Sequence, residues 1–303
     1  MNKSGKNSGR RIGIDIGGSK IAALILDGEG REQARWRREI SRDYGGTVEN
    51  ISEMVSQLEA QAGPADRIGV SMPGVVNSAG EPVMVANLPW LRNKPLRLDL
   101  KRLFDRPVHI GNDANCFALS EARDGAAAGA KLIFGVILGT GVGGGIVVNG
   151  QILSGANAMA GEWGHNPLPW RVRSDGAESV CGCGQTGCIE TWLNGAALSR
   201  DYERIAGKKA AAKDISRLAE ENNEQAQQAV SRYASRLARA LAGVINFFDP
   251  EVIVLGGGLS EIASLYDQVP RLWSQHTSWD AKSTRLVKAA HGPESGMRGA
   301  AWL

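Results

Sequence analysis

The strongest constraint on the fold is a strand, glycine turn, strand unit that occurs twice. RIGIDIGGSKIAALILDGEG, starting near Arg11, reads as an apolar strand, a turn at Gly17-Gly18, a second strand and a further turn at Asp27-Gly28. A third strand is expected near Gln33–Glu39. About 120 residues later LIFGVILGTGVGGGIVVNGQIL repeats the pattern, with its own turn at Asn149-Gly150 and a closing strand. Matching units at the start of two halves predict two related lobes, each a mixed sheet with helices, and a ligand cleft between them. The 303 residues suffice for two domains at roughly 150 residues each.

Between the units, TVENISEMVSQLEAQ carries Val48, Ile51, Val55 and Leu58 at helical spacing, and RIGVSMPG and VHIGND read as strands. ANCFALSEARDGAAAGA, residues 114–130, reads as a helix. An irregular stretch over 155–190 holds most of the cysteines. EQAQQAVSRYASRLARALAGVINFF then forms a long helix with Val230, Tyr233, Leu237, Leu241 and Val244 on one stripe, stopped at Asp249-Pro250. EVIVLGGGLS is a buried strand running into Gly256–Gly258 and a helix, and GMRGAAWL starts a last short helix. The expected division is a disordered leader over 1–10, an N-terminal lobe over 11–112 joined by the C-terminal helix near 292–303, and a C-terminal lobe over 113–291.

Composition enters as a set of exclusions. A hydrophobic fraction of 43% with 22% charged residues rules out wholesale disorder. No stretch approaches the ~20 apolar residues of a membrane span. The net charge of +3 offers no basis for binding nucleic acid or a membrane surface. MNKSGKNSGR lacks the apolar segment of a secretory signal, and the few cysteines agree with a reduced, cytoplasmic compartment. The outlier is glycine: 39 residues, against a usual ~7% of a chain. These glycines cluster between apolar runs, where a backbone turns tightly or approaches a ligand closely.

Three of the clusters point to a nucleotide. Asp15-Ile-Gly17-Gly18-Ser19-Lys20 places backbone N–H groups, a hydroxyl and an ammonium where an anion would sit. Asp15 is out of character in an apolar strand, and could hold Mg²⁺ or a water beside phosphates. The plain alternative is a tight hairpin with an exposed lysine. Gly139-Thr140-Gly141-Val142-Gly143-Gly144-Gly145 carries more glycine than a hairpin needs, which implies close approach of a ligand, most simply phosphates. Gly256, Gly257 and Gly258 end a buried strand, a place where nucleotides often sit. The spacing is not that of a P-loop. Asn112-Asp113 ends a strand before a helix, so either residue serves as an N-cap. Alternatively, Asp113 faces the cleft as general base while Asn112 holds a substrate hydroxyl. Both readings stay open.

Cys181-Gly-Cys183-Gly-Gln-Thr-Gly-Cys188 puts three thiols on a glycine-rich loop, and His165, sixteen positions upstream, completes a Cys₃His set for structural Zn²⁺. Cys116, on an apolar helix, reads as core. Glu162 and Glu190 flank the unit, where a stapled loop would hold both carboxylates for bidentate recognition of sugar hydroxyls; otherwise they are solvated acids. Trp90, Trp163 and Trp170 are sugar platforms or packing, packing being the expectation for each.

In this order the motifs resemble the ROK sugar kinases, named for repressor, open reading frame and kinase. The resemblance is carried by Asp15–Lys20, Met72-Pro-Gly74, Asn112-Asp-Ala-Asn115, Gly139–Gly145, Gly161-Glu-Trp-Gly-His165, the cysteine run to Glu190 and Gly256–Gly258. It covers residues 12–303 and departs only in having Ser19 where threonine is usual, which keeps the hydroxyl. AGEWGHNPLPW resembles the bacterial fructokinase and mannokinase branch; ILGTGVGGG and ANCFALSEA resemble N-acetylglucosamine kinases.

The resemblance implies an α/β, actin-like ATPase (ribonuclease H-like) fold of two lobes with a cleft between them. It implies Mg²⁺-dependent transfer of the ATP γ-phosphoryl group to the 6-hydroxyl of a hexose. Fructose is the expected acceptor, with mannose or glucose as side substrates and N-acetylglucosamine as the alternative. By position Asp113 matches the base. Asn112, Glu162, His165 and Glu190 match sugar contacts; apart from the resemblance, Asn87 or Asn157 is a candidate partner of an acetamido group. His165, Cys181, Cys183 and Cys188 match zinc ligands. The loops Gly17–Lys20 and Gly139–Gly145 match phosphate contacts, and Gly256–Gly258 the adenosine contact. A homodimer is the expected assembly. A family regulator would need a DNA-binding segment for which the residues before Arg11 leave no room; a sensor without turnover is the other rival.

Overall fold

Two five-stranded sheets of the same connectivity carry the chain. The computed structural model describes residues 9–77, 79–85 and 87–303. The leader expected over 1–10 therefore lies, but for Gly9 and Arg10, outside the described residues. The strands of the first half are β1 (Arg11–Ile16), β2 (Lys20–Leu26), β3 (Glu32–Glu39), β4 (Arg67–Met72), the short β5 (Val75–Val76) and β6 (Pro82–Met84), and β7 (Val108–Asn112). Those of the second are β8 (Leu132–Leu138), β9 (Val142–Val148), β10 (Gln151–Ile152), β11 (Val252–Gly256) and β12 (Arg285–Lys288). The first sheet is ordered β3-β2-β1-β4-β7 and the second β10-β9-β8-β11-β12. In both, three antiparallel strands are followed by two parallel ones. The repeat seen in the sequence is thus a repeat of topology, and β5–β6 is a separate hairpin.

Burial follows position in the sheet. Interior β11 is apolar and buried throughout and central β1 is buried at all but Arg11 and Asp15, as strands covered on both faces must be, whereas edge strand β3 alternates strictly between exposed and half-buried residues. The helices are α1 (Tyr44–Ala62), α2 (Leu96–Phe104), α3 (Asp113–Arg123), α4 (Glu190–Leu193), α5 (Gly195–Ala206), α6 (Ala212–Glu220), α7 (Glu224–Phe248), α8 (Leu265–Trp273) and α9 (Ser295–Trp302). None among the described residues is long and apolar enough to cross a membrane. Helix α1 starts three residues earlier than its apolar spacing predicts, because Asp43 accepts a hydrogen bond from the Gly46 N–H (2.7 Å) and caps it. Its stripe Ile51, Met54, Val55 and Leu58 joins the first core, and α7 joins the second through Val230, Tyr233, Leu237 and Leu241.

Helices α3 and α9 lie back to back between the sheets. A Cβ at Gly13 of β1 would run into the Met297 carbonyl of α9, and one at Gly69 of β4 into that of Ala300. On the other side, Gly135 of β8 and Gly145 of β9 sit against Ala118 and the Ala114 carbonyl of α3. The two helices meet where Gly299 abuts the Cys116 carbonyl. The layers are therefore sheet, α9, α3, sheet, in contact at backbone distance.

The helix expected over 114–130 ends at Arg123. Glu121, fully buried, accepts hydrogen bonds from the N–H groups of Ala126 (2.9 Å), Ala290 (2.9 Å) and His291 (3.2 Å) and from the Ser295 hydroxyl (2.9 Å). Those bonds draw the chain after Arg123 into turns and tie α3 to the start of α9.

A buried charge cluster anchors the segment ahead of the cysteines. Asp175 accepts from Arg239 at 2.7 and 2.8 Å and from Arg236 at 3.2 Å, both on α7, and Arg236 also reaches Asp201 of α5 at 3.1 Å. All four groups are at most 4% exposed. Asp175→Ala would leave the buried Arg239 without a carboxylate and Arg236 with Asp201 alone, and is expected to cost ~3–5 kcal/mol in chemical denaturation. Arg271→Ala, which removes only an exposed pair with Asp267, is expected to stay within about 0.5 kcal/mol.

Candidate active site

Carboxyl ends of strands from both sheets converge on one cavity of about 360 Å³. Its walls include Asp15, Gly17 and Gly18 from the end of β1, Asp113 from the start of α3, Asn87, and Gly257 after β11. Open α/β sheets bind ligands at this end because strand carbonyl termini and helix N-termini face the same crevice.

The first glycine turn is closed by the Gly17 N–H donating to the Lys20 carbonyl (2.9 Å). Gly18, Ser19 and Lys20 are exposed at its tip. Asp15 is paired across the ladder with Ser71 of β4, whose hydroxyl donates to Asp15 Oδ1 (2.7 Å). Burial raises the Asp15 carboxyl above its usual range, with the Ser71 hydrogen bond opposing.

Asp113 begins α3. Asn112 is its N-cap, with Oδ1 accepting from Ala114 N–H (2.9 Å) and Asn115 N–H (3.2 Å), and Nδ2 donating to the Gly74 carbonyl (3.0 Å). The structural reading of Asn112 therefore holds, and it frees Asp113 to point into the cavity. Burial pushes the Asp113 carboxyl up to about 6, against the pull of the Ala114 N–H (2.8 Å); the negative charges of Asp15 and Glu162 add to the rise. A carboxylate poised near neutrality in a cleft has the properties of a general base.

The second glycine run divides. Gly139, Thr140 and Gly141 form the turn between β8 and β9, with space open beside Gly139. Gly143, Gly144 and Gly145 lie within β9, and packing, not a ligand, explains their missing side chains: they face Ala114, Trp163 with the Gly161 carbonyl, and the Ala114 carbonyl respectively. Gly256 likewise makes room for Phe117 and Gly257 for the Leu138 carbonyl, while Gly258 is open.

His165, Cys181, Cys183 and Cys188 bring four donor atoms within 4.8 Å of one another. Cys181 Sγ lies 3.5 Å from His165 Nδ1, and Cys183 Sγ lies 3.7 Å from Cys188 Sγ. A tetrahedron with ligand bonds of about 2.0–2.3 Å has edges of roughly 3.3–3.8 Å, so the donor set fits Zn²⁺. The other ring nitrogen of His165 faces the Glu162 carboxylate at 3.8 Å. Glu190 accepts from the Val142 N–H (3.0 Å) and stands 3.4 Å from Cys181 Sγ, linking the cysteine loop to the second glycine turn.

Not every expected residue shares the cavity. Glu162, His165 and Glu190 do not line it, and Asn112 lines a larger neighbouring cavity. Trp163 packs edge-on against Phe134 (5.4 Å, 85°) and donates to the Gly143 carbonyl; Trp90 donates to Thr47, and Trp170 stacks on His276. All three tryptophans have packing roles. Sequence reasoning missed Gly292, Pro293, Ser295 and Gly296, which wall the cavity at the start of α9. A Cβ at Gly296 would lie 2.9 Å from Asp15 Oδ1. The only signal was Gly292-Pro293 ahead of the last helix.

This architecture recurs in proteins of known kind. The ROK family model matches residues 11–303. An N-acetyl-D-glucosamine kinase of Salmonella paratyphi B is 38% identical over 298 residues, covering 96% of this chain and 98% of that protein. The crystal structure of a ROK hexokinase from Thermus thermophilus superposes with a TM-score of 0.84 at 31% identity, covering 96% of each chain. A ROK family glucokinase from Streptomyces griseus, solved with glucose and AMPPNP, superposes with a TM-score of 0.78 at 29% identity, covering 96% of this chain and 98% of that one. With the actin-like ATPase fold and a family match along all but its first ten residues, the chain belongs to the ROK family, as an ATP-dependent sugar kinase.

Proposed function

We propose that the chain transfers the γ-phosphoryl group of ATP to the 6-hydroxyl of N-acetyl-D-glucosamine, with Asp113 as general base. The observation that carries the acceptor is the 38% identity, over 96% of this chain, to a kinase of that name. The fructose reading rests on one segment, AGEWGHNPLPW, and gives way to a likeness spread over 298 residues.

Phosphoryl transfer needs positioning and charge neutralisation more than covalent chemistry. Gly17, Gly18, Ser19 and Lys20 hold the phosphates from the first lobe, and Gly139, Thr140 and Gly141 from the second. Gly257 and Gly258 border the nucleoside. Asp15 is the carboxylate suited to hold Mg²⁺ or its water, and Mg²⁺ would neutralise phosphate charge. Asp113 takes the proton of the attacking hydroxyl. Asn112, Glu162, His165 and Glu190 orient the sugar. The Cys₃His set would hold a structural Zn²⁺ that keeps the carboxylates of Glu162 and Glu190 in place.

A coupled ADP-release assay over N-acetylglucosamine, N-acetylmannosamine, glucose, mannose and fructose tests the acceptor. N-acetylglucosamine is expected to give the highest kcat/KM. A lead for fructose would restore that sugar, and silence on the whole panel would favour a sensor. Asp113→Asn is expected to lower kcat by roughly 10²–10⁴-fold while sugar binding, read by calorimetry, persists.

Because the base must be ionised and burial lifts Asp113 to about 6, kcat/KM should be level above that pH and fall as pH drops through it. A profile flat down to pH 4.5 would remove Asp113 from the role. Chelation of zinc, followed by elemental analysis, should raise the sugar KM and leave the ATP KM unchanged. An unchanged sugar KM in metal-free protein would detach the Cys₃His set from the sugar site.

A further inference from the structure

A cavity of about 630 Å³ lies beside the candidate active site, and of its lining residues only Asn112 has a part in the reading above. Asn112 lines it, while the next residue, Asp113, lines the smaller cavity, so these two consecutive residues form the boundary between the two spaces. Its walls include the β5–β6 hairpin at Val76 and Asn77 and the loop Gly155–Ala158.

The chemistry of the walls is selective. Among the described residues, no Asp, Glu, Lys, Arg or His side chain lines the cavity, so none of them neutralises a phosphate or carboxylate there. Val76, Ile110, Ile152 and Leu303 supply apolar surface. The polar side chains are mostly amides, and two of them have unused capacity. Asn157 makes no side-chain hydrogen bond among the described residues, and Asn115 Oδ1 is a buried acceptor without a partner. Neutral donors and acceptors beside aliphatic surface match an acylamino group: an N–H, a carbonyl and an apolar tail.

Position agrees with chemistry. In a pyranose, C2 and the 6-hydroxyl lie on opposite sides of the ring. With the 6-hydroxyl at Asp113, the 2-substituent extends away from the smaller cavity. The three heavy atoms of an acetyl group need roughly 90 Å³ at about 30 Å³ per water-sized unit, a small part of this space.

We propose that this cavity is an acyl subsite, which receives the N-acyl substituent of a 2-acylamino hexose and accommodates chains longer than acetyl. The proposal rests on the N-acetylglucosamine reading. Asn157 is its amide partner, and Ala156, an exposed residue of the same loop, borders the space the longer chain enters.

The test compares glucosamine carrying N-acetyl, N-propanoyl and N-butanoyl groups, with glucose as the unacylated control, by ADP release. The N-butanoyl sugar is expected to keep a kcat/KM within tenfold of N-acetylglucosamine, each buried methylene contributing up to about fourfold in its favour. Ala156→Phe is expected to cut kcat/KM for the N-butanoyl sugar at least tenfold and leave glucose within twofold. Asn157→Ala is expected to cost all acylated sugars about tenfold and glucose nothing. Circular dichroism and thermal melting check that both variants fold.

A loss beyond tenfold for the N-butanoyl sugar in the unmodified protein overturns the subsite, as does an equal effect of Ala156→Phe on acylated sugars and glucose. Failure of the underlying acceptor reading looks different: glucose or fructose would then outrank N-acetylglucosamine before any variant is made.

Discussion

The structure depends on one close contact, the meeting of α9 with α3 where Gly299 abuts the Cys116 carbonyl. Each helix is pressed onto its own sheet at backbone distance by Gly13 and Gly69 on one side and Gly135 and Gly145 on the other. Side chains there would push the layers apart and widen the space between the sheets. The ends of β1, β7, β8 and β11 could then no longer border one cavity. Part of the glycine excess therefore serves helix–sheet approach, and part serves turns and loops, where fifteen of the described glycines have positive φ.

That layering explains the electrostatics of the site. Helix α3 starts in the cleft, so its first residue, Asp113, is held away from bulk water beside Asp15 and Glu162, and its carboxyl rises to about 6. In the last turn of the same helix the buried Glu121 carboxylate gathers N–H groups and a hydroxyl from the chain just after the helix and from the chain leading into α9. The segment so fixed contributes Gly292, Ser295 and Gly296 to the cavity wall. One short helix thus places Asp113 at one end and steadies the wall at the start of α9 from the other.

A second anchor sits outside the cleft. The Asp175 cluster ties the approach to the cysteine loop onto α7, and Glu190 ties its exit to the Val142 N–H beside the second glycine turn. The loop is thereby held by charge at one end and by a backbone hydrogen bond at the other, with the Cys₃His donors between them. Its geometry belongs to the fold as a whole rather than to the eight residues that contain the thiols.

Much of this was legible in the sequence. The two strand–turn–strand units, the stripe of α7, the apolar β11 and the spacing of His165 with the three cysteines are local patterns, and local patterns report the period and chemistry of their own element. Asn112-Asp113 left an N-cap and a general base both open, and only the family resemblance favoured Asp113 as base. Other features have no local signature. Whether a glycine faces a ligand or a helix depends on what packs over it, so Gly143 read as a phosphate contact until Ala114 was seen against it. The end of α3 at Arg123 is decided by Glu121 reaching residues some 170 positions away. The separation of Asn112 and Asp113 into two cavities requires both lobes in place. The sequence by itself determined the two-lobed α/β plan and brought forward Asp113 and the set of His165 with three cysteines as candidates. Only the tertiary structure decided which glycines are packing, how far the Asp113 carboxyl is lifted, and how large a space lies beside it, because each of these is set by contacts between segments distant in the chain.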